Sequence, residues 1–129
     1  MWNSWIILIT LISYSLLITA CKIKIKMRSK TNHPFRMQVL VPAIKMKTER
    51  MIFNKMNDVR TVTVRGEHCN RKHWIIKTWE RKGNKWIPAK ESKAKIEGIG
   101  SFGITVNDDM IPRMDNAFAI LCTEGNCAR

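Results

Sequence analysis

The segment Lys22-Ile23-Lys24-Ile25-Lys26-Met27-Arg28 alternates cation and apolar residue without a fault. In an extended chain successive side chains point to opposite faces, so this order makes one apolar face and one cationic face. A helix of period 3.6 would mix the two. The alternation therefore predicts a strand, half-buried on one side, and the rest of the chain repeats the period. Phe35, Met37, Val39 and Val41 alternate up to Pro42, Val62 and Val64 share a face, and so do Trp74, Ile76 and Thr78. Ile75 and Trp79 fall on the other face of that last segment, which predicts a central strand covered on both sides.

Turn signals separate these runs. Glu80-Arg81-Lys82-Gly83-Asn84 reads as a hairpin turn, with Gly83 free to adopt positive φ. The return strand Lys85-Trp86-Ile87 is expected to stop at Pro88. From Ala94 the even positions carry Ala94, Ile96, Gly98, Gly100, Phe102, Ile104 and Val106, a long strand bent where glycines remove side chains. Asn107-Asp108-Asp109 is a turn cluster, and Ala117–Cys122 is the last strand. Only Met46 to Met56 lacks a clear period and reads as a helical turn or an irregular strand. Seven or eight short strands with regular turns predict an all-β fold. We expect an antiparallel β-sandwich, since each half-apolar sheet must cover its face against another.

Residues 1–20 are a different object. None of the 23 Lys+Arg or 10 Asp+Glu lies there. The apolar stretch from Trp5 to Ile18 followed by Thr19-Ala20 outlines a secretory signal cleaved after Ala20, leaving residues 21–129 as one domain with no transmembrane segment. Lys22, Lys24, Lys26 and Arg28 directly after it also fit an uncleaved anchor with a cytoplasmic domain. Ile18-Thr19-Ala20-Cys21 fits an acylated lipoprotein box, although the start of the chain is uncharged.

The four cysteines, Cys21, Cys69, Cys122 and Cys127, all follow the leader. An even number in a short exported chain predicts two disulfides. Three pairings are open, of which we favour Cys69–Cys122 with Cys21–Cys127, tying strand ends and termini together. Alternative chemistry is poorly supplied. His68-Cys69 with His73 offers ligand types, but without any Cys-x-x-Cys spacing no metal is expected. Adjacent residues of a strand face apart, so His68 and Cys69 do not form a nucleophile and base. Asp108 and Asp109 sit where carboxylates close turns. We expect no enzyme and no cofactor.

Charge is the remaining signal. Lys22 to Lys95 holds 21 basic and 5 acidic residues, whereas Ile96 to Arg129 holds 2 and 5. A field of that size attracts an extracellular polyanion or an anionic surface. The candidate contacts are Lys22, Lys24, Lys26 and Arg28 on one strand face, with Arg71, Lys72, Lys77, Arg81, Lys82 and Lys85 around Trp74, Trp79 and Trp86. Lys on strand faces also serves to discourage sheet-edge pairing. Three tryptophans in a small domain suit packing better than base stacking, so no specific nucleic acid is expected.

Taken together, Cys21 followed by Lys22-Ile23-Lys24-Ile25-Lys26, Cys69 ahead of Trp74-Ile75-Ile76-Lys77-Thr78-Trp79, Ile96-Glu97-Gly98-Ile99-Gly100, Val106-Asn107-Asp108-Asp109-Met110-Ile111-Pro112 and a closing cysteine pair resemble small secreted nematode proteins of unknown function, some expressed in the uterine lumen. The resemblance implies export and a non-enzymatic default, and it supplies no molecular role. It carries no active-site residue.

Overall fold

A computed structural model describes residues 20–127. The leader therefore lies outside the described residues, apart from Ala20. That residue opens the first strand opposite Glu67.

Eight strands follow in order: β1 Ala20–Ser29, β2 Phe35–Val41, β3 Met46–Lys47, β4 Met51–Phe53, β5 Val59–Glu67, β6 Trp74–Lys82, β7 Lys85–Val106 and β8 Pro112–Gly125. The all-β expectation holds, and so does the number of strands. Their layout differs from two stacked antiparallel layers: all eight belong to one mixed sheet of order β3-β2-β6-β7-β1-β5, with β4 added on β2 and β8 on β7. The ladder between β1 and β7 is parallel, running from Lys22 beside Ile99 to Ser29 beside Val106. The sheet covers its own apolar face by curling, so no second layer is needed.

The curl brings the outer strands together. The short loop after β4 leads directly into β5, and Arg60 of β5 bridges the gap. Its Nη2 donates to the Ile52 carbonyl at 3.1 Å, and its guanidinium lies 5.4 Å from the Phe53 ring centre. Asp58 closes the loop by accepting from the Asn54 and Lys55 amides. The amide of Asn54, then that of Lys55, holds its carboxyl below the usual 3.8. The result is an incomplete barrel with a seam between β4 and β5.

The alternating residues fill its inside. Ile23, Ile25, Met27, Phe35, Met37, Val39, Phe53, Trp74, Ile76, Ile96 and Ile104 are all fully buried. Each such aliphatic or aromatic side chain contributes roughly 1.5–3 kcal/mol by leaving water. Phe35 and Phe53 stack at 4.8 Å, and Trp74 meets Phe102 edge-on. The Trp74 Nε1–H donates to the Cys69 carbonyl at 2.9 Å, so the largest core side chain leaves no polar atom unpaired. Two of the four buried hydroxyl groups brace a neighbouring turn. Thr78 donates to the Met110 carbonyl and Ser92 to the Pro112 carbonyl, fixing the turn after β7 against the barrel.

β7 is a single strand of 22 residues and does not stop at Pro88. Pro88 stands opposite Trp79 where the β6–β7 register shifts, and an irregularity of this kind is a place where a sheet admits proline. Residues 99–106 of β7 pair with β1, β8 pairs with β7 between Ala94 and Val106 with breaks around Gly98, Ser101 and Gly103, and β7 up to Ala94 pairs with β6. The unpatterned stretch 46–56 becomes the two short strands β3 and β4, preceded by a 3-10 turn at Pro42–Ile44.

The two disulfides are present, with a different pairing from the favoured one: Cys21 joins Cys69 and Cys122 joins Cys127. The β1–β5 register sets the first by placing Cys21 opposite Gly66, close to the start of the turn that carries Cys69. The second closes over Glu124 and Gly125, whose positive φ values of 51° and 111° turn the end of β8 back on itself. Two disulfides point to an oxidising environment.

Candidate functional site

The outward side chains of β1 are Lys22, Lys24, Lys26 and Arg28, as the alternation requires. Lys30 continues the same phase just past the strand. Beside them on β7 the outward positions are Ile99, Ser101, Gly103 and Thr105, paired in turn with Lys22, Lys24, Lys26 and Arg28. Small residues therefore follow the row of long cations, and the surface sinks into a groove of about 510 Å³. Lys24, Lys26, Arg28 and Lys30 line one side, Ser101, Gly103 and Thr105 the floor, and Asp115 and Asn116 of β8 the opposite wall.

Gly103 makes that wall possible. A Cβ there would collide with Asp115 Oδ1, so only glycine lets the carboxylate lean over the floor. Thr105 Oγ1 donates to Asp115 Oδ2 at 2.6 Å and orients it. Among the described residues no carboxylate oxygen comes within 4.0 Å of a charged nitrogen of Lys22, Lys24, Lys26, Arg28 or Lys30; the ion pairs lie elsewhere. Across the other edge of β1, Lys22 faces Arg65. Like charges directly opposite cost a strand pair stability. Same-face neighbours along β1 are roughly 6.6–7 Å apart, a ladder of positive charge suited to anionic groups in series.

The other six cations of the sequence reading do not join this row. Arg71 and Lys72 are exposed in the turn after Cys69. Lys77 is half-buried on β6, between Gln38 and Glu91 of the neighbouring strands. Arg81, Lys82 and Lys85 surround the β6–β7 hairpin, at the opposite end of β7 from the groove. The tryptophans there hold arginines. Arg36 and Arg81 lie 4.4 and 5.6 Å from the Trp86 ring centre, and Arg50 lies 4.5 Å from that of Trp79. These contacts use the aromatic faces as packing partners for cations. Sequence reasoning missed Lys30, Arg65, Asp115 and Asn116. The period of β1 carries Lys30; the others become neighbours only through non-local pairing.

All four cysteines are bridged, leaving no free thiol. His33 lies in the β1–β2 loop, and His73 approaches Glu124 at 3.7 Å. Asp109 accepts both guanidinium nitrogens of Arg113 at 3.0 and 2.6 Å and the Ile111 amide at 3.1 Å. The Arg113 bond, then the Ile111 amide, holds its carboxyl below the usual range. It pins the β7–β8 turn.

No protein-family profile matches the chain, and no curated protein does. Among solved structures, one that is similar is the human-specific toxin intermedilysin, with 10% identity and a TM-score of 0.36. The likeness covers 75% of this chain and 23% of the toxin, and at that distance it carries no argument.

Proposed function

We propose that the protein is an exported, non-catalytic binding protein that holds anionic groups along the outer face of β1. The observation that carries this reading is the row Lys22, Lys24, Lys26, Arg28 and Lys30, free of carboxylate partners among the described residues, of which Lys24, Lys26, Arg28 and Lys30 line a groove floored by small side chains. Solvated strand lysines need no groove, and an edge-protecting role does not suit β1, which is paired on both sides. The two disulfides fit the oxidising exterior that export would reach. Export, which the likeness to small secreted nematode proteins implies, is compatible with this chemistry.

Heparin retention over a salt series tests the reading. Lys24→Gln/Lys26→Gln should elute at clearly lower salt than the parent. Arg81→Gln/Lys82→Gln removes the same charge from the hairpin and should change elution far less. Equal shifts for the two variants would mean diffuse attraction to a basic protein, with no site on β1.

A further inference from the structure

Next to the cationic row the surface becomes apolar. Ile99, Phe118 and Leu121 are 60%, 73% and 54% exposed, and they lie on the adjoining strands β7 and β8. The register ties them to the cations. Lys22 pairs with Ile99, and Lys24 pairs with Ser101, which pairs in turn with Phe118. Leu121 pairs with Glu97, two positions before Ile99. β8 cannot offer a clean edge for another strand, because Asn116, Ala119 and Glu124 adopt positive φ and its register to β7 shifts repeatedly. Such irregularities blunt edge-to-edge pairing.

A soluble polyanion uses the cations and leaves the three apolar side chains in water. A lipid surface uses both, with headgroup phosphates against the lysines and the apolar side chains entering the boundary below them. We infer that the anionic partner of the β1 row is the headgroup layer of an anionic membrane, and that Ile99, Phe118 and Leu121 enter that layer. The inference rests on β1 being the anion-binding face. It describes docking on the surface: the charges hold the protein within a Debye length of about 8 Å at physiological salt, and the apolar residues make contact specific to lipid.

Co-sedimentation of the oxidised protein with vesicles tests it, comparing phosphatidylcholine alone with phosphatidylcholine mixed with phosphatidylserine. Binding should require phosphatidylserine and fall in high salt. Ile99→Ser/Phe118→Ser should weaken it at least about tenfold while leaving heparin retention unchanged; both positions are exposed, and an unaltered thermal midpoint would show that the fold is kept. Heparin retention dependent on Lys24 and Lys26 without vesicle binding would assign the face to a soluble polyanion and overturn the inference alone. So would vesicle binding that survives Ile99→Ser/Phe118→Ser, or a dimer in ultracentrifugation that the same variant dissolves. Loss of neither heparin nor vesicle binding in Lys24→Gln/Lys26→Gln would remove the underlying reading as well.

Discussion

β1 and β8 flank the same stretch of β7 and are built in opposite ways. β1 pairs without a break on both edges, and its burial alternates residue by residue. β8 loses register three times over its length, and from Asn116 onward most of its side chains are exposed. The contrast separates two ways of presenting a surface. A regular strand sets its outward groups at a constant period, so their spacing can match a repeating partner. A bulged strand redirects side chains and leaves apolar residues outside that a regular strand would bury. Here the ordered strand carries the charge and the disordered register carries the exposed hydrophobic residues.

The largest test of the contrast is covalent. Each strand has its own bridge, but Cys21–Cys69 spans 48 positions and Cys122–Cys127 only 5. On chain entropy the long closure stabilises by roughly 4 kcal/mol and the short one by roughly 2 kcal/mol. Cys21→Ser/Cys69→Ser should therefore lower urea stability about twice as much as Cys122→Ser/Cys127→Ser. Equal losses would show that the two strands are braced alike.

Smaller changes probe packing. Ile25→Val in β1 trims a fully buried side chain and should cost about 0.5–1.5 kcal/mol. Phe118→Ala in β8 removes far more volume at an exposed position and should stay within about 0.5 kcal/mol in the same urea titration. A large loss at Phe118 would mean that β8 is part of the core after all.

The smallest effect concerns the entry to β8. Asp109 titrates below the usual 3.8 in the folded protein because Arg113 and the Ile111 amide stabilise its charged form. A depressed carboxylate contributes stability that is present above its unfolded value and lost as pH falls through its folded value. Asp109→Asn should lower the thermal midpoint slightly at neutral pH, and the difference should close in acid below 3.8. A difference that persists there would assign the effect to the turn itself.

The same contrast explains what could be read from the chain. The inward Ile23, Ile25 and Met27, the alternation in β2 and the even positions of β7 were legible because period 2 is written locally. The turn at Gly83 was legible too, and its φ is 61°. The parallel β1–β7 ladder, the disulfide pairing and the wall formed by Asp115 were not. Each depends on which distant strand lies alongside, and several registers satisfy the same alternation. The sequence signals only Ala117–Cys122 of β8, because bulges interrupt the period over the rest of Pro112–Gly125.

The two bridges also divide the chain into closed and open parts. Residues 21–69 form one covalent ring and residues 122–127 a second, and between them the backbone alone provides continuity. A protease cutting the exposed loop after β4 would leave a single molecule, because Cys21–Cys69 still tethers the piece carrying the β1 cations to the rest of the chain. A cut in the turn at Asn107–Asp109 would leave two fragments joined only through the sheet. The strand that carries the cationic row can thus be nicked from its neighbour without being shed.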